Sequence, residues 1–264
     1  MKKKLSFLFF FIFCKIALAN DQDLVWVQLM QIDKIKNNDL IIEKCFQLKK
    51  FKEGKNQTQD SVYAKILHII GRSFWHKGNR EAAFTYINKS ILVNSKQSNK
   101  SNKKHLAISH YNLGSYFYEL ENFNSSLFNL NKCVAVLNEV KVREDLKAKA
   151  FRLKAAIFFI IGDYQKCIEN ADNAIILSND DFEVNIDSNL EKIQALIEMN
   201  NLKRSDELLS SIINLSEQNL PNSITLANLY SLWGKLHLKM NLIKSAQKYY
   251  LIAYQIHHFN NNSD

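Results

Sequence analysis

Residues 64–90, AKILHIIGRSFWHKGNREAAFTYINKS, decide the fold of this chain. Apolar residues recur in it at helical spacing, as Ile66 and Ile70 do, and a Gly-Asn pair at 78–79 separates two such segments. Gly71 lies in the middle of the first segment, where a glycine costs about 1 kcal/mol relative to alanine. A glycine in that place needs a packing reason, so we expect two helices to approach closely there.

The same pattern recurs along the chain. Gly114 and Gly234 match Gly71, and Gly162 matches Gly78, so five of the six glycines fall at two equivalent places. Aligned on these glycines, units begin near residues 23, 64, 107, 148, 186 and 227. Each unit has two apolar-periodic segments joined by a short polar turn, which is typical of a helical solenoid. One proline in 264 residues agrees with an all-helical fold.

The units resemble the tetratricopeptide repeat (TPR), which has large apolar residues at unit positions 4, 7, 11 and 24 and small ones at 8, 20 and 27. The second unit supplies Leu67, Ile70, Gly71, Phe74, Ala83, Ile87 and Ser90 at these positions. The fourth supplies Phe151, Ala155, Phe158, Cys167, Ala171 and Ala174, and the sixth Tyr230, Trp233, Gly234, Ala246, Tyr250 and Ala253. The resemblance implies an all-α solenoid of about six helix-turn-helix repeats in a right-handed superhelix. Its long period resembles exported repeat proteins of Bacteroidetes-type bacteria.

The first nineteen residues have the three parts of a secretory signal peptide. Lys2, Lys3 and Lys4 precede an apolar stretch at 5–13, and Ala17-Leu18-Ala19 is a small-x-small cleavage site. We therefore expect an exported protein, periplasmic or secreted, with no stable membrane span after leader removal. Lipidation at Cys14 is the less favoured alternative because the large Phe13 precedes it.

The expected domain organisation follows from these boundaries. Residues 1–19 are the leader, 20–63 a degenerate N-terminal capping repeat, 64–259 the repeat array, and 260–264 a polar tail. Removing the leader lowers the formal charge from +9 to +5, a balance that indicates solubility more than nucleic-acid binding. Three cysteines remain, and an odd number in an exported protein favours buried thiols over a disulfide framework.

No sequence motif for an enzyme is present: the chain has no phosphate-binding glycine loop, zinc-binding His-Glu-x-x-His or nucleophile elbow. His68 and His76 are eight residues apart, about 12 Å along a helix, too far to share a metal ion. We expect a non-enzymatic protein without cofactor or metal.

The resemblance implies a binding surface on the inner face, at positions 2, 5, 9 and 12 of each unit's first helix. The candidate partner-binding residues on this face are Lys65, His68, Arg72, Trp75, Tyr111, Tyr118, Lys149 and Arg152. Basic and aromatic groups on one groove suit an acidic, extended segment of a partner protein. Asn112 and Lys149 match two of the five places of the family's carboxylate clamp. The alternative is that these cations are solvated and the aromatics pack between helices.

Function is therefore expected to be protein–protein interaction, as a scaffold of the bacterial envelope. The alternative is a sensory input module of a membrane signalling system. Binding to nucleic acid is disfavoured because no basic stripe is present and the protein is expected to be exported.

Overall fold

The computed structural model describes residues 21–32, 34–140, 144–178, 181–221 and 223–261, and side chains from Leu24 to Phe259 within them. The predicted leader at 1–19 lies outside the described residues. Twelve α-helices and no strand occur in this part of the chain. They are α1 Asp21–Ile32, α2 Asn38–Gly54, α3 Ser61–His76, α4 Arg80–Ser95, α5 Lys100–Glu119, α6 Phe123–Val140, α7 Glu144–Ile160, α8 Tyr164–Leu177, α9 Phe182–Glu198, α10 Leu202–Asn219, α11 Ile224–Lys239 and α12 Ile243–Asn261.

The turns between paired helices confirm the predicted register. In each of the last five pairs the fifteenth residue of the unit has a left-handed backbone, with φ between 57° and 79°; these residues are Gly78, Glu121, Gly162, Asn200 and Asn241. The next N–H closes a helix-ending bond, as when Asn79 donates to the carbonyl of Phe74. The second helix of the pair then begins. In three of the five turns its first turn is capped by the side chain of Asn79, Asn122 or Asp163.

The mid-helix glycines lie where the sequence predicted close approach. A Cβ atom built on Gly71 would lie 2.8 Å from Cγ1 of Ile87 and 3.0 Å from the carbonyl oxygen of Ala83. A Cβ atom on Gly234 would lie 3.0 Å from the ring of Tyr250. Ile87 and Tyr250 occupy the same position of the repeat, so the same contact recurs in the second and sixth repeats. Glycine therefore permits the close approach at both places, since a Cβ atom would force Ile87 or the ring of Tyr250 to shift.

The chain divides into two compact units, which contain several repeats each and are called the first and second unit below. The first contains residues up to Phe117 with Asn131–Val142, and the second contains Tyr118–Leu130 with Arg143 onward. In the first unit α3 packs on α4, and also on both α1 and α2. Its core includes Leu29 of α1, Cys45 of α2 and Ile66 of α3. In the second unit α9 packs on α7, α8, α10 and α11, and α11 packs on α12. The first helix of a pair therefore contacts the first helix of the next pair in α1 with α3, α7 with α9 and α9 with α11, which builds a core within each unit.

Short connections join the repeats. Helix α5 begins at Lys100, inside the polar stretch 96–104. Asn102 is buried there, and its Nδ2 donates to Oδ1 of buried Asn94 at 3.0 Å. The expected tail also differs, since α12 continues to Asn261.

Cys45, Cys133 and Cys167 are buried thiols, as the sequence predicted. Burial raises the pKa of the Cys167 thiol to about 12. Among the described residues no helix is both long enough and apolar enough to cross a membrane.

Candidate functional site

The inner positions of the first helices form a cavity of about 510 Å³ in the second unit. Three successive first helices, α7, α9 and α11, line it. We call it the inner groove, and its residues are Phe159, Leu190, Gln194, Asn228, Ser231, Leu232, Lys235 and Tyr250. All except Leu232 and Tyr250 occupy unit positions 2, 5, 9 or 12, which the sequence analysis assigned to the inner face. The volume is in the range of small-ligand and peptide side-chain pockets.

The inner groove combines an apolar wall with uncharged polar groups. Phe159, Leu190, Leu232 and Tyr250 supply the wall. The side chains of Gln194 and Asn228 each carry amide donors and an acceptor. No hydrogen bond of these two amides is formed with other described groups. Such groups match the alternating N–H and C=O groups of a peptide backbone, whereas the wall suits an apolar side chain.

Tyr250 owes its position to Gly234. Three ring carbons of Tyr250 lie 3.0 Å from where a Cβ atom of residue 234 would be, so the ring lies against the bare backbone of α11. The Tyr250 side chain is still 39% exposed. The glycine that permits helix packing therefore also places an aromatic wall in the inner groove.

Two of the predicted cations are paired with acids of the neighbouring helix. Nζ of Lys149 lies 3.3 Å from Oδ2 of Asp181, and a terminal nitrogen of Arg152 lies 3.2 Å from Oδ2 of Asp187. Burial raises the pKa values of the Asp187 and Glu191 carboxyls, and the positive charge of Arg152 offsets part of that rise. This face of the second unit is therefore mixed in charge, because Lys149 and Arg152 lie beside Asp181 and Asp187.

Lys235 on the rim of the inner groove also has an acidic neighbour. Its Nζ lies 3.6 Å from Oε1 of Glu198, and Nζ of Lys239 lies 3.4 Å from the other carboxylate oxygen. Lys235 and Glu198 are both exposed, so the pair is weak and open to exchange with a ligand.

In the first unit, Lys65 and His68 make internal contacts. Nζ of Lys65 lies 4.7 Å above the ring of Trp26. His68 lies between α3 and α5, with Nδ1 3.0 Å from Oγ of Ser109 and Nε2 3.1 Å from Nδ2 of Asn112. Because an amide nitrogen can only donate, Nε2 accepts and Nδ1 carries the proton. Burial and the nearby charges of Arg72, His105 and Lys65 lower the pKa of His68 to about 3.

The predicted aromatics also pack against neighbouring helices. Trp75 stacks on Tyr116 with ring centroids 4.0 Å apart, and its edge meets Phe84. Tyr111 is half-buried on α5. Tyr118 is half-buried, and burial raises the pKa of its hydroxyl. Lys65, His68, Arg72, Trp75 and Tyr111 thus belong to the first unit, and Tyr118, Lys149 and Arg152 to the second.

The sequence analysis missed the polar residues of the inner groove. These residues occupy the positions that selected Lys65, His68 and Arg72, but in the fifth and sixth repeats; they are Gln194, Asn228, Ser231 and Lys235. Applying the register to every unit would have found them. Tyr250 is different, since it comes from a second helix and reaches the groove across Gly234. Among the described side chains no group of three or more histidine, cysteine or acidic residues is placed to hold a metal ion.

Comparison with known proteins places the fold. No protein-family model and no curated protein matches the chain in sequence. A Podosopora anserina protein with nearly identical TPR-like repeats, described as a kinesin light chain, matches with a TM-score of 0.58 at 12% identity, over 75% of this chain and 96% of its own. MamA from Desulfovibrio magneticus RS-1 matches with a TM-score of 0.54 at 14% identity, over 74% and 95%. A Rap protein complexed with Competence and Sporulation Factor matches with a TM-score of 0.55 at 14% identity, over 91% and 67%. The fold is therefore that of a TPR-like α-solenoid.

Proposed function

We propose that this TPR-like protein is a non-enzymatic scaffold whose inner groove binds an extended segment of a partner protein. The observation that carries the proposal is the inner groove itself. Its lining comes from the inner positions of three successive first helices, and it pairs free amide groups with an apolar wall. The Rap protein complexed with a factor is an example of ligand binding by a protein of this fold.

An extended segment suits the inner groove better than a compact ligand does. The groove is open and crosses three helices, so a ligand can lie along it and contact each helix in turn. Backbone groups of an extended chain require one donor or acceptor every residue, which Gln194, Asn228 and Ser231 provide. One apolar side chain of the segment would contact Phe159 and Tyr250.

The charge of the partner is a separate part of the proposal. In the second unit an acidic segment would have to displace Asp181 from Lys149 and Asp187 from Arg152. We therefore propose no preference for an acidic segment in the second unit. The segment that lies in the inner groove is proposed to be uncharged.

The bacterial envelope is the proposed location, because the leader carries the signal-peptide pattern. The sensory module of a membrane signalling system remains the alternative function. The identity of the bound partner separates the two, since a sensory module would bind a component of a signalling system.

Site-specific photocrosslinking in the native host tests the inner groove. A photoreactive phenylalanine analogue at Ser231 should give one discrete adduct, whose mass spectrum names the partner. The matched control is the same analogue at Ile176, which is 75% exposed on α8. The same adduct from both positions, or none from Ser231, would overturn the proposal.

A further inference from the structure

A second groove lies in the first unit, on the N-terminal helix pair. It has a volume of about 560 Å³ and is lined by residues of α1, α2 and the turn between them. We call it the N-terminal groove. Its apolar lining consists of Leu24, Val25, Ile32, Ile35, Leu48 and Phe51. Leu24 is 44% and Phe51 38% exposed, so these two side chains face solvent, whereas Val25, Ile32 and Leu48 form a buried floor. Surface of this kind indicates a binding site when it is contiguous and concave.

The shape of the N-terminal groove suits a helix. In this fold a helix pair receives a further helix between its two members: α9 contacts both α7 and α8, and α3 contacts both α1 and α2. The α1–α2 pair therefore already holds α3 through Val25, Leu29 and Ile32. The N-terminal groove is another depression between the same two helices, and helix ridges fit grooves of that kind.

The rim of the N-terminal groove is polar and positively charged. Gln28, Gln31 and Gln47 lie on the rim with Lys44. Lys44 is exposed, and so are Lys34 and Lys36, which flank Ile35 in sequence. None of these three ammonium groups has an ion-pair partner among the side chains that the structure describes.

The acidic side chains of α2 offset only part of this positive charge, and Glu43 keeps its negative charge because its partner Gln47 is neutral. Asp39 pairs with Lys77 of the second repeat. Glu53 pairs with Lys49 and accepts a hydrogen bond from the hydroxyl of Tyr63. Glu43 accepts from the amide of Gln47. An apolar floor with unpaired lysines at its edge is complementary to an apolar stripe with acidic flanks.

We propose that the N-terminal groove binds an amphipathic helix of a partner protein, with acidic residues on both sides of the helix's apolar stripe. This site is separate from the inner groove: it lies on α1 and α2, whereas the inner groove lies on α7, α9, α11 and α12. The protein would then hold two partner segments of different chemistry.

Two designed 18-residue peptides test the proposal with the purified full chain. Both carry leucines at i, i+3, i+4 and i+7; one has glutamates beside the stripe and the other lysines. Fluorescence anisotropy should show the glutamate peptide binding at least tenfold more tightly in low salt, and the difference should shrink as salt rises. Lys44→Glu should reduce its affinity at least fivefold.

Phe51→Glu should abolish binding of the glutamate peptide, and circular dichroism checks that the variant remains folded. Lys235→Glu, in the inner groove, should leave the affinity unchanged and is the matched control. Equal binding of the two peptides, no binding of either, or no effect of Lys44→Glu would overturn the proposal. A dimer in sedimentation that Phe51→Glu dissociates would assign the N-terminal groove to a second copy of the chain and also overturn it. Failure of the photocrosslink at Ser231 would leave this result unaffected.

Discussion

At the scale of single residues, burial and neighbouring positive charges keep His68 neutral. The ring receives a hydrogen bond from Asn112 and donates one to Ser109. The hydroxyl of Ser90 donates to the carbonyl of Ala64 and lies 3.4 Å from that of Ser109. A second proton on the ring would break the bond from Asn112 in a site that already holds positive charge. The network therefore connects α3, α4 and α5 only while His68 is uncharged.

His68 should make the stability of the protein depend on pH. Its pKa is about 3 in the folded state and about 6.5 in an unfolded chain, so between these values the unfolded state binds a proton that the folded state does not. Stability is thus full above pH 6.5 and falls as pH decreases, by up to about 1.4 kcal/mol per unit. Between pH 7 and pH 5, the free energy of unfolding measured in urea should fall by about 1–2 kcal/mol less for His68→Gln than for wild type.

The control for this experiment is His76→Gln, which changes an exposed histidine at the end of the same helix. It should lose as much stability as wild type over the same pH range. If His68→Gln and wild type respond equally to pH, then His68 is protonated in the folded protein and the hydrogen-bond assignment is wrong.

His68 also shows where sequence reasoning stops at this scale. Its position in the repeat correctly placed it on the first helix of the second repeat, and it was predicted to face the inner, partner-binding surface. Whether a side chain at that position faces a ligand or a neighbour depends on Ser109 and Asn112, about forty residues away. No local pattern contains that information. By contrast Gly71 was predicted correctly, because a glycine's cost in a helix is a local quantity.

At the scale of elements, each of the last five helix pairs has one left-handed residue in its turn. Glycine adopts this backbone without cost, whereas a residue with a side chain loses about 1 kcal/mol. Two of the five turns use Gly78 and Gly162, and two use Asn200 and Asn241, the next best choice. Glu121 is the exception, with φ of 57°. The sequence located all five turns from the repeat spacing, although nothing local to Glu121 favours that backbone.

Two single substitutions of turn residues should change the free energy of unfolding in opposite directions. Gly162→Ala places a Cβ atom on a residue with φ of 79° and should cost about 1 kcal/mol. Glu121→Gly relieves the same strain and should stabilise the protein by a few tenths of a kcal/mol, because the added freedom of the unfolded glycine offsets part of the gain. Thermal melting followed by circular dichroism measures both changes.

Gly54→Ala is the matched control for the turn variants. Gly54 ends α2, its backbone is not left-handed, and a Cβ atom added to it would have no neighbouring atom within 4 Å. The substitution should raise stability by about 0.5–1 kcal/mol. A loss in Gly54→Ala comparable to that in Gly162→Ala would show that left-handed backbone is not the cause.

At the scale of the whole molecule, the sequence predicted the fold because repetition multiplies a weak local signal. One glycine in a helix means little, but the same register in several units selects one arrangement of helices. The partners of the predicted cations could not be assigned from the repeat pattern in the same way. Asp187 lies on the first helix of the following repeat, and Asp181 lies directly before that helix. Helix packing brings Asp187 to Arg152 and Asp181 to Lys149. Ion pairs between neighbouring repeats depend on side-chain length and conformation, which the repeat pattern does not specify.

Export is the prediction that concerns the entire molecule, and it rests on the first nineteen residues alone. Signal peptidase accepts small residues at the first and third positions before the cut, which here are Ala19 and Ala17. Protein isolated from the envelope of the native host should therefore begin at Asn20 in N-terminal sequencing. Ala19→Leu removes the small residue, so this variant should accumulate as the precursor with Met1 retained, whereas Ala19→Ser should be processed like wild type. Retention of Met1 in the wild-type protein, or a lipid on Cys14 in its mass spectrum, would contradict cleavage after Ala19.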